Sequence, residues 1–271
     1  MTPLHDALER LVHIIPMGYE IDRVVVPFQE FSAHRVHLIS MADLPQYSDP
    51  AECAMTSKQH FYDEQVIEML QKRGMIVQLH RIDMFDIISV MQTISKIILT
   101  EKYDGNRVYV NMSACGKIAS VGATLAAMTH DVRLYYVRAD RYAADLKEQM
   151  EHGISICSSP RLWQLENFMF TLPEESSLIV LGFLNLQHNE VSCNDIIRFL
   201  IENSISGFEI KFWELPYEEK RKCQTKYLVK LQNKILNKLH NEGYIERRKV
   251  GRNTMVKITK SGQYVTAVSS K

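Results

Sequence analysis

The feature that most constrains this chain is an alternation maintained over its first half. Short apolar runs recur at Leu11–Met17, Arg35–Met41, Met75–Ile82, Val108–Val110 and Val132–Val137. Between them lie stretches with helical apolar spacing: Tyr19–Phe31, Ser57–Arg73, Phe85–Leu99 and a segment from Lys117 onward. The runs are mostly continuous rather than alternating, as expected of strands buried on both faces. Strand followed by helix, repeated, dictates a parallel sheet covered by helices on both sides, because each crossover must return along a face. Pro27 predicts a kink or early end in the first helix, and Gly74 a stop for the second. A Pro-, Asp- and Ser-rich loop follows Met41.

A Rossmann-like or flavodoxin-like winding places the first and fourth strands near the centre, with ligands received at the carboxyl ends of strands beside the switch in winding direction. That rule brings Gly18-Tyr19, after strand one, beside Asn111-Met112-Ser113-Ala114-Cys115-Gly116-Lys117, after strand four. The latter turn joins Val108-Tyr109-Val110 to a helix carrying Ile118, Val121, Leu125 and Met128. Unpaired backbone N–H groups at such a helix start suit an anionic or polar ligand. An ordinary β–α turn with Ser113 as N-cap is the plain alternative. Ser113, Cys115 and Lys117 offer a nucleophile and activator, but no partner base stands nearby in sequence.

The ligand class is narrowed by what is missing. No GxGxxG follows the first strand, which disfavours a nicotinamide or flavin enzyme, and Gly116-Lys117 lacks both the earlier Gly and the Ser/Thr of a P-loop. Histidines at 34, 37, 60, 80, 130 and 152 show no metal spacing. Five scattered cysteines without a CxxC pair predict neither a disulfide framework nor a cysteine zinc site, and a reduced, cytoplasmic setting. No apolar run reaches a membrane span, and the first residues do not read as a signal peptide. No cofactor, metal or catalytic residue is expected.

Beyond Arg141 the pattern is less regular. A helix through Ala143–Met150, a strand at Ile154–Cys157 and an amphipathic segment at Leu162–Phe170 are expected, then a hinge at Pro173–Ser177. Leu178–Leu186 reads as a helix and Asn194–Glu202 as another, capped by Ser192. The insert Asn203–Pro216 is expected to form a strand or a packing flap. After Pro216 a long helix runs to about Asn241 with an apolar stripe of Leu228, Leu231, Ile235 and Leu239. Tyr244–Lys249 and Thr254–Thr259 read as strands around the turn Val250–Asn253.

Net charge is zero, yet from Glu218 onward fourteen Lys/Arg face four Glu, so that segment carries +10 and the remainder −10. Helices followed by a basic ribbon make a winged helix–turn–helix that meets double-stranded DNA. The expected DNA-contacting residues are Lys226, Lys230, Asn233, Lys234, Asn237, Arg247, Arg248, Lys249 and Arg252, with Asn233 and Asn237 suited to base edges. A winged helix used for protein contacts is the alternative.

Three stretches carry a resemblance: HIIPMGYEIDRVVVPF, NMSACGK and LHNEGYIERRKVGRNTMVKITKSG. Together they resemble archaeal transcription regulators that join a CARF (CRISPR-associated Rossmann fold) domain to a winged helix–turn–helix. The expected fold class is therefore α/β, a Rossmann-like, CARF-like parallel sheet over 1–172, followed by an α+β winged helix–turn–helix over 173–271. The turn fits the family's Asn/Asp-x-Ser/Thr-x3-Lys/Arg pattern through Asn111, Ser113 and Lys117. The resemblance implies a homodimer built through the Rossmann domain, with both strand-four turns lining one pocket. It implies a nucleotide-type ligand, cyclic oligoadenylate in well-studied members, with Lys117 and the helix start on phosphate and Asn111 and Ser113 on ribose or base. Gly18, Tyr19, Ala114, Cys115 and Gly116 complete the expected ligand-binding set. Small residues Ala119, Gly122, Ala123 and Ala126 imply close approach of sheet or partner helix. The function implied is a ligand-responsive DNA-binding transcriptional regulator; the alternative is a metal-independent ring nuclease that cleaves such a ligand.

Overall fold

A computed structural model describes residues 9–43, 50–168, 170–187, 189–251 and 253–269, with 50–55 described in backbone. Residues 44–49, where the Pro- and Ser-rich loop was expected, and Arg252 at the wing tip lie outside the described residues. The chain divides into two compact units, Met1–Phe170 and Thr171–Ser270.

In the first unit, strands β1 (Leu11–Pro16), β2 (Arg35–Met41), β3 (Ile76–Ile82), β4 (Arg107–Asn111) and β5 (Arg133–Val137) run parallel. The intervening helices are α1 (Asp22–Val25), α2 (Pro50–Lys72), α3 (Ile87–Tyr103) and α4 (Lys117–Thr129). After β5 come the short strand β6 (Arg141–Tyr142), helix α5 (Leu146–His152), strand β7 (Ser155–Ile156) and strand β8 (Leu162–Leu165). Sheet order is β3-β2-β1-β4-β5-β8, with β8 antiparallel at the edge. The winding reverses between β1 and β4, as the sequence pattern predicts. One face packs Ile14, Ile39, Val108, Val110 and Leu134 under α3 and α4; the other packs Ile15, Met17, Val36 and Leu38 against α1 and α2. Strands buried on both faces explain the continuous apolar runs.

Three elements depart from expectation. The first helix shrinks to one α turn followed by a 3-10 turn, Val26–Gln29, at Pro27, which has no N–H to extend an α ladder. Leu162–Leu165, expected to be part of an amphipathic segment, is instead the edge strand closing the sheet. In α4 the small residues Ala119, Gly122, Ala123, Ala126 and Ala127 face inward with Met128, while Ile118 and Val121 are 46% and 51% exposed. A Cβ on Gly122 would lie 3.0 Å from Val90 Cγ1, so the small stripe lets α3 and α4 approach closely.

The second unit comprises α6 (Glu175–Asn185), β9 (Val191–Ser192), α7 (Cys193–Glu202), α8 (Tyr217–Leu231), α9 (Asn237–Asn241), β10 (Ile245–Val250), β11 (Asn253–Ile258) and α10 (Lys260–Ser269). Ser192 caps α7 by accepting from Asp195 N–H, and β10-β11-β9 form the wing sheet. Helix α10 was not anticipated. The insert is a packing loop with a 3-10 turn at Phe212–Glu214: Phe208 and Phe212 enter the core beside Tyr227, whose hydroxyl accepts from Ile210 N–H at 2.8 Å. Between α8 and α9 the helix widens into a π turn, Gln232–Leu236, which buries adjacent Ile235 and Leu236 together. The core stripe is therefore Tyr227, Leu231, Ile235, Leu236 and Leu239, with Leu228 only partly buried.

Candidate functional site

The two turns expected to converge do so: Gly18 N–H donates to Ala114 O at 2.7 Å. Asn111, fully buried at the end of β4, organises the second turn. Its Oδ1 accepts from Ser113 N–H at 2.9 Å and from Ser113 Oγ at 2.6 Å, and its Nδ2 donates to Arg23 O at 2.9 Å. The Tyr135 hydroxyl is bonded to Asn111 as well and lies 3.0 Å from His13 Nδ1. Burial lowers the His13 pKa to about 4, so its ring is neutral at pH 7 and shares a hydrogen bond with the Tyr135 hydroxyl. A buried polar line thus runs His13, Tyr135, Asn111, Ser113, from the middle of β1 to the turn.

The N-cap of α4 is Gly116, which brings no side chain, and not Ser113, whose hydroxyl is spent on Asn111. No side chain therefore caps the first amides of α4, at the positive end of the helix. Lys117 opens the helix and is exposed, as is Gly116. Burial pushes the Cys115 thiol up to about 12, so it stays protonated at neutral pH, and its Sγ faces Met112 O at 3.8 Å. Ala114 is buried in the core under α1 and α2. Tyr19 stacks on Tyr62, centroids 5.3 Å apart, with Lys58 Nζ 4.9 Å from its ring.

Arg23, which is not among the expected site residues, links the turn after β4 to β5 and to Glu20. Its Nη1 donates to Ser113 O at 2.7 Å, its Nη2 to the Tyr136 hydroxyl at 3.2 Å, and Glu20 Oε1 lies 3.7 Å from it. Glu20 also accepts from Ser155 Oγ and Ser155 N–H at 2.7 and 3.0 Å; its carboxyl is raised by burial, with Ser155 and Arg23 opposing. Asp22 accepts from Cys157 N–H at 2.9 Å and pairs with His152 at 3.2 Å. These bonds fasten the α5–β7 segment across α1. Gly153 makes the fit possible: at φ +84°, a Cβ there would meet Ile21 N at 2.5 Å and Glu20 Cα at 2.7 Å.

In the second unit the expected DNA-contacting residues separate into occupied and open groups. Lys230 Nζ donates to Gly207 O at 3.1 Å, tying the insert to α8. Arg248 pairs with Glu190 at 2.6 Å, and Arg247 donates to Asn237 Oδ1 at 2.8 Å, while Asn237 Nδ2 donates to Asn233 Oδ1 at 3.4 Å. Lys226, Asn233, Lys234 and Lys249 are exposed. So are Arg221 and Lys222, with Lys220 half-buried, in the first turns of α8. None of Lys220, Arg221, Lys222 and Lys226 has a salt bridge among the described residues. Lys220, Arg221 and Lys222 belong to the basic segment counted in the sequence but are not among the expected DNA-contacting residues.

Residues 11–142 match the family described as HFX_2341_N-like, N-terminal, and residues 176–270 match the DUF6293 C-terminal winged helix domain. Each unit is thus similar to one described domain family, the first over 132 residues and the second over 95. The mostly parallel sheet of the first unit, with its one antiparallel edge strand, and the winged helix matched in the second agree with the α/β and winged-helix architecture expected from the sequence. No curated protein matches the sequence. Among solved structures, VC1899 from Vibrio cholerae is similar at 12% identity and TM-score 0.40, covering 92% of this chain and 75% of that one. Csm6 from Enterococcus italicus, bound to cyclic hexa-2′-fluoro-hexa-dAMP, is similar at 12% identity and TM-score 0.42, covering 86% and 58%. Can2 from Sulfobacillus thermosulfidooxidans, in complex with cyclic tetra-adenylate, is similar at 12% identity and TM-score 0.37, covering 94% and 63%. The chain thus spans under two thirds of the latter two, and the assignment rests on the two domain matches.

In the first unit, the residues expected to bind ligand gather at the carboxyl ends of β1 and β4. Among the described residues no cluster of three His, Cys, Asp or Glu is arranged to hold a metal, and no helix is long and apolar enough to cross a membrane.

Proposed function

We propose that the protein is a homodimeric, ligand-responsive DNA-binding transcriptional regulator. Residues 1–172 serve as the sensing and dimerising domain and 173–271 as the DNA-binding domain. The observation that carries this reading is the joining of an uncapped α4 start at the winding switch to a winged helix with open cations on its long helix. The ligand is a nucleotide-type anion held by the Gly116–Lys117 helix start, with cyclic oligoadenylate the class implied by the CARF resemblance. The exposed Ile118 and Val121 on the same helix supply an apolar face for the partner subunit. Ligand would bias two arrangements of the paired winged helices and so alter operator affinity.

The test is fluorescence anisotropy of a duplex from the protein's own promoter region, with and without cyclic tetra- or hexa-adenylate, across a salt series. Each phosphate contact removed lowers the log–log salt slope by about 0.9. Neutralising Lys220, Arg221 and Lys222 to Gln is expected to lower it by about 2.7 per subunit by the same rule. Arg248→Gln, already paired with Glu190, is expected to change it less. DNA affinity that is absent or independent of salt would overturn the DNA reading and leave the winged helix as a protein-contact module.

A further inference from the structure

A ladder of side chains leads away from the turn toward the sheet edge. It begins at Ser113 O, passes through the Arg23 guanidinium to the Tyr136 hydroxyl, and continues from the Tyr136 ring to Trp163, centroids 6.2 Å apart and 32° from coplanar. Arg138 closes it, its guanidinium carbon 5.6 Å from the Trp163 ring centroid, while Arg23 lies 5.3 Å from that of Tyr136. Tyr136 and Trp163 are cross-strand partners on β5 and β8, so their side chains share one face, the face that carries α4. Both stand near the carboxyl end of β5, on the side of the sheet where ligands are received.

Trp163 is 58% exposed. A solitary exposed aromatic needs no explanation, but this one is paired with a second, tilted ring, and a guanidinium group lies against each of the two. Such an array attracts the π face of a heteroaromatic ring and carries positive charge suited to its attached phosphate. The acids nearby are engaged: Glu20 with Ser155 and Arg23, and Asp140 with Arg161 at 3.2 Å. The ladder therefore presents ring faces and donors rather than the carboxylate acceptors that a neutral sugar requires.

We propose that Trp163, flanked by Tyr136 and Arg138, is the platform on which a purine base of the ligand stacks while the α4 turn holds its phosphate. This deepens the ligand-sensing reading above and rests on it. The edge strand β8 then has a role beyond closing the sheet: it sets the distance at which a base is read from the phosphate site.

The chain has two tryptophans, so Trp213→Phe leaves Trp163 as the sole indole reporter. Full-length Trp213→Phe protein is titrated with cyclic tetra-adenylate, cyclic hexa-adenylate, AMP and the base-free ribose 5-phosphate, following indole emission and thermal shift. Base-bearing probes are expected to quench Trp163 emission, and Trp163→Leu to weaken them by about tenfold or more in thermal-shift and calorimetric titration. Trp163→Phe is expected to retain most of the affinity, and ribose 5-phosphate to bind wild type and Trp163→Leu alike. A base-bearing probe that binds with unchanged emission and equal affinity for Trp163→Leu overturns the platform and leaves the ligand site standing. No binding by any probe to the wild-type chain overturns the nucleotide site and the platform together.

Discussion

Asn111 offers the sharpest test of how the candidate pocket is built. Replacing it with Ala removes an acceptor used by Ser113 N–H and Ser113 Oγ, both buried, and a donor used by the partly buried Arg23 O. The Tyr135 hydroxyl loses its Asn111 partner too. Each buried backbone group left unsatisfied costs about 1–3 kcal/mol, so two of them bring the expected loss to about 3 kcal/mol, near the upper range for one substitution. Ser113→Ala is the control: it removes one donor from an oxygen that keeps the Ser113 N–H, and is expected to cost about 1 kcal/mol. Trp163 belongs to the first unit and Trp213 to the second, so urea unfolding of Trp213→Phe protein, read at the indole, isolates the unit that contains Asn111. The midpoint should fall with an unchanged slope. If Asn111→Ala stays within about 1 kcal/mol of its parent, or costs no more than Ser113→Ala, Asn111 does not hold the turn, because neither buried partner was then stranded.

Acidification tests the buried line behind that turn. His13 falls from 6.5 to about 4 in the folded chain, so the unfolded chain binds the extra proton first. Its contribution is fully present above pH 6.5 and is lost between 6.5 and 4, about 3 kcal/mol over the window. Glu20, Asp22 and Asp63 are raised by burial and act in the opposite sense, so the readout is the difference between wild type and His13→Gln, the variant showing the shallower acid loss. Gly153→Ala is expected to cost at least about 2 kcal/mol or to free the strap. The signature is faster hydrogen exchange at Ile154 N–H and Ile21 N–H, now bonded to Tyr19 O and His152 O; unchanged exchange at both would show that the strap tolerates a Cβ. Ile118→Asp with Val121→Asp, both on exposed positions, should move unit stability by no more than about 1 kcal/mol in total while shifting a dimer to monomer in sedimentation. A pair of variants that stays dimeric would place the subunit contact elsewhere.

Much of the first unit was readable because parallel strands buried on both faces leave long apolar runs. β2 begins at Arg35 and ends at Met41 as read, and the β1–β4 switch follows from the winding rule alone. The phase of α4 was harder. Ile118, Val121 and Leu125 recur with helical period, and so do Ala119, Gly122, Ala123 and Ala126; periodicity does not say which stripe the sheet takes. Burial of the small stripe depends on Val90, which belongs to another helix. Arg23 was missed for a related reason: it stands 90 residues from Ser113, and only the Glu20–Arg23 pair beside Gly18 marks it locally. In the winged helix, occupied cations such as Lys230 and Arg248 look the same in sequence as the open ones, since their partners Gly207 and Glu190 are distant.

The π turn at Gln232–Leu236 has a consequence for how this helix tolerates changes in length. A regular α-helix rotates about 100° per residue, so one surplus residue misaligns everything beyond it. Here the surplus is absorbed as a local bulge, and Leu239 still lands in the core with Tyr227 and Leu231. Deleting a single exposed residue, Asn233 or Lys234, therefore leaves the two ends of the helix in phase and converts the bulge to plain α-helix. The segment behaves as a slack link, whereas the same deletion within Tyr217–Leu231 would turn one end of the helix against the other.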